Sequence, residues 1–269
     1  MLTLTLKDAP TVPLEAECLT PDALAPLAND AIRALPVMHG KRQVRLDDFF
    51  TVEGDGSDHI ELRGDLTKVK WIGRQMTRGS VRIVGNVGMH LGAYMSGGEI
   101  DVTGNATDWV GGEMTGGRIR VRGNAGQQLG CAYRGSFSGM SGGTILVDGS
   151  AGIEVGMRMK RGLIVVRGPV RDFAGLQMKG GTIVLMSGGE LRTGAWMQRG
   201  TIISLKPVKL MPTFNEACLY APAFVSLYAK HLAQFGFDLP HGAAGTYRRH
   251  LGDSSVPGKG EILVWEPNA

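Results

Sequence analysis

The feature that most constrains this fold is a long internal repeat marked by methionine. Seven methionines follow one another at intervals of 19 residues, with one interval of 26, at Met76, Met95, Met114, Met140, Met159, Met178 and Met197. A glycine stands three residues after each of them, and aliphatic residues follow at alternate positions, as in Ile100 and Val102. A period kept over this length is typical of architectures in which each unit packs on its neighbours.

The repeat unit indicates β-structure. Its aliphatic pair has a period of two, which is the spacing of a strand, and each short strand is bounded by glycines that allow the chain to turn. Asn86, Asn105 and Asn124 follow corner glycines, and asparagine is the next most tolerant residue of a positive φ. The sequence therefore predicts an all-β fold, a right-handed parallel β-helix (solenoid) of about seven coils, with methionines and aliphatics filling its core.

The residues between the inward aliphatics predict the outer surface of the strands. Arg82, Asp101 and Arg120 would form a ladder of alternating charge in the early coils. The later coils place an apolar stripe there, at Leu146, Val165, Val184 and Ile203. A contiguous apolar stripe is usually covered, either by the chain itself or by a partner subunit.

A C-terminal helix is the cover we favour, because covering within one chain costs no association entropy. The helix is predicted from Pro222 to about Phe235, with Gly236 as its C-cap. Its apolar face would carry Phe224, Leu227, Tyr228, His231 and Phe235. A partner subunit remains the alternative cover.

The sequence pattern changes along the chain and predicts three regions. They are an N-terminal cap over residues 1–54, the repeats over 55–205 and a C-terminal extension over 206–269. In the cap we expect an edge strand at Leu2, Leu4 and Leu6, a short helix over residues 22–35 and a strand over residues 41–52. Such a cap would protect the open end of the stacked strands. Residues 261–265 are predicted to form a last strand.

The chain shows no pattern of chemistry-bearing residues. Cys18, Cys131 and Cys218 lie far apart without a CxxC pair, the six histidines show no ligand spacing, and Ser136 has no evident base. We therefore predict no catalytic, cofactor or metal site in this chain. A net charge of only +4 and the few aromatics in the repeats argue against binding of nucleic acid. The apolar runs are too short for a membrane span. The sparse cysteines fit the reducing environment of the cytoplasm.

Two features could carry function. One is a seven-residue insertion that lies around residues 131–139 and accounts for the long methionine interval. The other is a set of outward basic residues, which forms either a solvated or interface face or a track for an acidic partner or ligand. The candidate contacts for a partner or acidic ligand are Arg118, Arg120, Arg122, Arg134, Leu146, Val165, Val184 and Ile203.

The string Met-x-x-Gly-x-(Ile/Val)-x-(Val/Ile)-x-Gly-Asn-x-Gly, over residues 55–205, resembles a glycine-repeat domain found in two settings. One is the C-terminal domain of the large subunit of glutamate synthase, and the other is the C subunit of formylmethanofuran dehydrogenase. The domain stands almost alone here, as it does in the dehydrogenase subunit. The alanine- and proline-rich opening and the few lysines resemble the bacterial version, which belongs to the formyltransferase/hydrolase complex of methylotrophs.

The resemblance implies a scaffold subunit without catalytic residues. It implies a complex with an amidohydrolase-like subunit, a formyltransferase subunit and a dehydrogenase-B-like subunit. That complex moves formyl from formyl-tetrahydromethanopterin to a methanofuran-like carrier and hydrolyses it to formate, with carrier and metal ions held by the partners. If the carrier has an acidic tail, Arg118, Arg120 and Arg122 could meet it. The C subunit of the molybdenum or tungsten dehydrogenase, a detached synthase-type domain and a stand-alone β-helix enzyme remain alternatives.

Overall fold

The structure is a computed structural model and describes residues 1–240 and 245–267. It is mostly β, with a 13-stranded sheet, a four-stranded sheet and three short helices among the described residues. The strands are β1 Leu2–Leu6, β2 Leu14–Glu15, β3 Pro36–His39, β4 Arg42–Arg45, β5 Phe50–Glu53, β6 His59–Arg63, β7 Val69–Lys70, β8 Ser80–Val84, β9 Glu99–Val102, β10 Arg118–Val121, β11 Ser141–Val147, β12 Arg161–Val166, β13 Lys179–Leu185, β14 Arg199–Ser204, β15 Asn215–Tyr220, β16 Tyr247–Gly252 and β17 Gly260–Trp265. The helices are α1 Pro21–Leu24, α2 Asn29–Arg33 and α3 Val225–Ala233, with a 3₁₀ turn at Leu46–Asp48.

The repeats stack as parallel strands in register. Strand β6 pairs with β8, and from β8 to β14 each repeat adds the next strand to the large sheet. A second row of parallel bridges runs beside the strands, from Leu66 and Val87 through Ala106 to Gly189. Strand β17 pairs in parallel with β14 and continues the stack, which confirms the strand predicted at residues 261–265.

The core of the repeats is filled as the sequence predicts. All seven methionines of the repeat are 0% exposed, in one hydrophobic cluster with the inward aliphatics. Glycines with positive φ recur from repeat to repeat and lie against the side chains of this core. Gly111 has a φ of 64°, and a Cβ there would lie 2.5 Å from Cδ1 of Ile145. Glycine is therefore required at this position both by the backbone conformation and by the space available.

The corner asparagines have a different role from the predicted one. None of them is among the described residues with positive φ. Instead, Oδ1 of Asn86 accepts a hydrogen bond from the backbone N–H of Asn105 at 2.9 Å, and Oδ1 of Asn105 accepts from Asn124 at 2.8 Å. Asparagine is used here because its side-chain oxygen satisfies a corner N–H of the next repeat.

The N-terminal region departs from its predicted elements. Strand β1 is not an edge strand, because it lies between β5 and β6, and β5 forms the edge. The single helix expected over 22–35 is two helices, α1 and α2, separated by Ala25–Ala28. The strand expected over 41–52 is broken by the 3₁₀ turn between β4 and β5. In the last two cases a local turn interrupts the predicted element.

The chain covers its own apolar stripe. Leu146, Val165, Val184 and Ile203 are each 0% exposed and pack in a second hydrophobic cluster with α3 and the residues that follow it. The prediction that these four side chains contact a partner is therefore corrected, since the chain's own C-terminal segment occupies that space. We call this surface the covered face.

Helix α3 is shorter than predicted, and only part of its predicted face packs against the covered face. It spans Val225–Ala233, and its buried residues are Val225, Ala229 and Leu232, whereas Leu227 is 68% exposed. Tyr228 lies at the margin, where its hydroxyl is hydrogen-bonded to the hydroxyl of Thr182 at 2.8 Å. Phe224 and Phe235 of the predicted face are partly buried against the same cluster, in which Phe237 and Leu239, which follow the helix, are buried.

Candidate functional site

Three of the four arginines proposed as contacts are paired within the chain. Arg118 contacts Glu99 at 2.5 Å, and the guanidinium of Arg122 forms two hydrogen bonds with Asp101, at 3.1 and 2.8 Å. Arg120 donates to both carboxylate oxygens of Asp148, at 3.0 and 3.3 Å. Their charge is compensated internally, which removes the predicted reason for these three arginines to attract an acidic partner.

The covered face also uses its cations to hold the C-terminal segment. The guanidinium of Arg118 lies 4.7 Å from the ring centre of Phe235. Phe237, which is 0% exposed, has Arg120 at 5.5 Å and Arg167 at 4.5 Å from its ring centre. Arg167 also donates to the carbonyl of Gly236 at 2.6 Å. Cation–π contacts of this kind bind the segment to the strands without exposing free charge.

The described residues hold no group of three or more His, Cys, Asp or Glu that could bind a metal ion. His241, one of the six histidines considered from the sequence, lies outside the described residues. Cys131 is buried, and burial raises the pKa of its thiol, so it is an inert thiol rather than a nucleophile. The hydroxyl of Ser136 bonds only to the backbone of Ser138. Across residues 1–240 and 245–267, no helix has the length and apolarity to cross a membrane.

A second surface, which the sequence did not reveal, is built from residues with positive φ. All non-glycine residues of this kind in the described chain fall into two rows. Each repeat contributes one member to each row, except that the repeat with the insertion contributes none to the second row. The first row is Trp71, His90, Trp109, Gln128, Glu154, Phe173 and Arg192; the second is Gln75, Tyr94, Glu113, Arg158, Gln177 and Trp196. Bulky residues rarely adopt this conformation, and they persist where the surrounding structure fixes the backbone. Here the stacked repeats fix it.

The early part of the first row is an aromatic stack. Trp71 and His90 stack with ring centres 4.1 Å apart, and Tyr133 from the insertion stacks on Trp109 at 4.7 Å. The hydroxyl of Tyr133 lies 3.0 Å from Nδ1 of His90. Burial in this stack, helped by the nearby Lys70, lowers the pKa of His90 to about 4. The few aromatics of these repeats therefore share one column and stack on one another.

The insertion lies across the later repeats and is held by two cations. Arg158 donates to the carbonyl of Ser136 at 2.6 Å and to Oε1 of Gln177 at 2.7 Å. Lys179 donates to the carbonyl of Phe137 at 2.7 Å. The acceptors are neutral, and no carboxylate among residues 1–240 and 245–267 forms an ion pair with either cation. The ring of Phe137, at the tip of the insertion, is largely exposed.

Two clefts adjoin at Arg158, each with a volume of about 370 Å³. One is lined by Trp109, Gln128, Tyr133, Arg134, Gly135, Glu154, Met157 and Arg158. The other is lined by Arg158, Gln177, Lys179, Trp196, Gln198 and Val256. Arg134 is thus the one candidate arginine that the structure leaves exposed at a cleft. Three exposed cations, Lys160, Arg161 and Arg199, lie within three residues of the lining residues Arg158 and Gln198 in the chain, and Arg199 is also the strand partner of Lys179. We call the two clefts and these three cations together the basic groove.

The sequence held a signal for this surface. Counting back from each repeat methionine except Met140, which follows the insertion, the rows occupy the fifth and first preceding positions, and aromatic or polar residues recur there. Reading the repeat by columns would have aligned Trp71, His90 and Trp109. The insertion's path could not be read in this way, because it has no counterpart in the other repeats.

The comparisons with known proteins agree on one family. Residues 65–221 match the family model described as GXGXG motif. The chain is 45% identical over 246 residues to the C subunit of the formyltransferase/hydrolase complex Fhc of Methylorubrum extorquens, covering 91% of this chain and 92% of that one. It is 43% identical over 95 residues to the C subunit of the tungsten-containing formylmethanofuran dehydrogenase 2 of Methanothermobacter thermautotrophicus, a segment that spans 35% of that relative.

A solved structure supports the same assignment. A chain in the crystal structure of the formyltransferase/hydrolase complex from Methylorubrum extorquens with methylofuran superposes with a TM-score of 0.90 at 34% identity. The superposition covers 97% of this chain and 98% of that chain. The chain therefore belongs to the GXGXG motif family and, within it, to the family formed by the C subunits of Fhc and of formylmethanofuran dehydrogenase.

Proposed function

We propose that this chain is a non-catalytic scaffold subunit of a formyltransferase/hydrolase complex of one-carbon metabolism. The observation that carries the proposal is similarity over nearly the whole chain to a subunit of that complex, in sequence and in structure. The archaeal dehydrogenase subunits match over only about a third of this chain, which favours the bacterial complex. The complex would transfer formyl from formyl-tetrahydromethanopterin to a methanofuran-like carrier and hydrolyse it to formate.

The proposed partners are an amidohydrolase-like subunit, a formyltransferase subunit and a dehydrogenase-B-like subunit, in the cytoplasm. They would hold the carrier and the metal ions. Within this chain, internal pairing of Arg118, Arg120 and Arg122 supports a structural role for these residues, and the exposed Arg134 remains a proposed contact. The partners and the location are proposed for this chain because it belongs to the same family as the C subunit of Fhc.

We infer in addition that the repeats wind as a right-handed parallel β-helix of about seven coils. The support is a parallel, in-register strand from each repeat together with a second parallel row of bridges at the same period. Connections between parallel strands are nearly always right-handed. This architecture would give the complex a rigid rod whose outer surfaces are set by columns of equivalent residues.

The test is to purify the tagged chain from its native host and to measure intact masses and activity. We expect the chain to elute with the three other subunits, in a fraction that has formyl transfer activity and releases formate. The isolated chain should have neither activity. Activity of the isolated chain would contradict the scaffold role. Elution with a molybdenum or tungsten protein, or with glutamate synthase subunits, would identify one of the alternative complexes.

A further inference from the structure

The arginines of the repeats fall into two groups with different surroundings. Those outside the basic groove pair with carboxylates, and Asp148 serves both Arg120 and Arg167. In the basic groove, no carboxylate of the described chain lies within ion-pair distance of the six cations Arg134, Arg158, Lys160, Arg161, Lys179 and Arg199. Positive charge is therefore concentrated and uncompensated along one surface, which raises the local concentration of anions.

The six cations are arranged along the stack of repeats. Lys160 and Lys179 occupy the same position in successive repeats, immediately after the methionine, and Lys179 is the strand partner of Arg199. Successive repeats are spaced by roughly 4.8 Å, so cations from the insertion to β14 extend over about 14 Å. A single phosphate or carboxylate cannot contact cations spread over this distance. An extended peptide of about four or five residues can span it.

The lining of the groove also suits a polypeptide. The ring of Trp196 is 47% exposed at one end, and Phe137 is 80% exposed on the insertion, so apolar surface flanks the cations. Arg158 and Lys179 are fixed in place by neutral carbonyl and amide acceptors, which positions their charge in advance. The only carboxylate lining the two clefts of the described chain is that of Glu154, and Nε2 of Gln128 donates to it at 3.0 Å.

We propose that the basic groove binds an extended acidic peptide segment of a partner chain, with its carboxylates meeting Arg134, Lys160, Lys179 and their neighbours. The inference deepens the proposed scaffold role by naming the partner's chemistry. It rests on that role only for the origin of the peptide, because binding itself is a property of the single chain. Failure of one can therefore be separated from failure of the other.

The experiment is fluorescence anisotropy with labelled octaglutamate and the full chain. We expect saturable binding at about 50 mM salt that weakens at least tenfold by about 500 mM, because exposed charge pairs are screened at that ionic strength. A peptide of alternating glutamate and lysine, which has no net charge, should not bind. Absence of octaglutamate binding at low salt, or equal binding of the neutral peptide, would overturn the proposal.

Two triple variants of equal net charge locate the binding. Lys160→Glu, Arg161→Glu and Arg199→Glu together should weaken octaglutamate binding on the order of tenfold or more, since like charges oppose the ligand. Lys41→Glu, Arg42→Glu and Lys230→Glu together, at exposed sites in the N-terminal region and on α3, should leave it within about twofold, because salt screens exposed charges that do not line the groove. Equal losses in both would mean that only net charge matters, and would overturn the proposal. Circular dichroism and thermal melting establish that both variants fold.

Discussion

The covered face and the basic groove use the same residue types for opposite purposes. On the covered face, arginines are paired with carboxylates and lie over the aromatic rings of Phe235 and Phe237, and the apolar stripe is sealed by α3. In the groove, arginines and lysines hold the insertion through neutral acceptors and keep their charge. The difference teaches that the number of cations in a segment does not reveal which of them a partner can reach. What matters is whether each cation already forms an ion pair with a carboxylate of the same chain.

The largest expected effect tests whether the chain covers its own stripe. Val184→Asp places a carboxylate under α3 with no partner, and we expect it to reduce the free energy of unfolding by about 3 to 5 kcal/mol or to prevent folding. The matched control is Val84→Asp, at a residue that is 38% exposed in β8, with a cost of about 1 kcal/mol or less. Urea denaturation of the isolated chain measures both. Equal tolerance of the two changes would mean that the stripe is open and awaits a partner.

The next prediction compares the loss of stability caused by replacing a glycine of the core with that caused by replacing a glycine of the insertion. Gly111→Ala should cost about 2 to 4 kcal/mol, because it strains a positive φ and brings a methyl group against Ile145. Gly135→Ala shares the positive φ, but nothing lies within 4 Å of the added atom, and its cost should be about 1 kcal/mol. Thermal melting of both variants separates the two contributions. If Gly135→Ala proved the more damaging, the insertion would be the more constrained region.

A smaller effect distinguishes paired from unpaired cations. Arg120→Gln leaves Asp148 with one cation fewer at a site where both side chains are mostly buried, and we expect a loss of about 1 to 2 kcal/mol. Lys160→Gln removes an exposed cation that has no carboxylate partner in the described chain, and stability should change by less than about 0.5 kcal/mol. Chemical denaturation is the measurement for both. A large loss at Lys160 would show that the groove cations are structural.

The smallest effect concerns the aromatic stack beside the groove. The pKa of His90 is lowered from 6.5 to about 4, so the unfolded chain binds a proton between these values that the folded chain does not. Stability contributed by the neutral imidazole is therefore complete above pH 6.5 and is lost as the pH falls towards 4, by about 1 kcal/mol after allowance for solvent screening.

The control for this pH dependence is His90→Gln, since the chain itself places a glutamine at the equivalent Gln128. We expect the variant to lack the part of the pH dependence that arises from His90 between pH 6.5 and 4. Urea denaturation at several pH values measures the difference between the two proteins. Identical pH profiles would show that His90 is not held neutral by the stack.

The sequence predicted most of the repeat core because its physics is periodic. Each methionine and each inward aliphatic meets its own equivalents in neighbouring repeats, so one unit describes all of them. The apolar stripe followed from the same columns, and its cover was predicted separately from the helical spacing of the C-terminal extension. The face of α3 was predicted only in part: Phe235 packs against the cluster as expected, but Phe237 and Leu239, which lie beyond the helix, also belong to it. Periodicity within a helix carries no information about its neighbours.

The candidate surface was predicted less well, for two physical reasons. Ion pairs such as that of Arg120 with Asp148 join residues 28 positions apart, and their formation depends on side-chain reach across repeats. The positive φ of Trp71, His90 and Trp109 is imposed by the stacked backbone against the preference of these residues. The insertion is aperiodic, so its position over the later repeats depends on contacts that no repeat unit contains.

The most direct test is the intact mass of the complex assembled around each triple variant. The tagged chain is co-expressed with its partner subunits, and the masses of the purified assemblies are compared. If the groove binds an acidic segment of a partner, the variant with Lys160→Glu, Arg161→Glu and Arg199→Glu should lose a subunit from the assembly. The control variant with Lys41→Glu, Arg42→Glu and Lys230→Glu should retain the full assembly. Complete assemblies with both variants would contradict the role assigned to the groove.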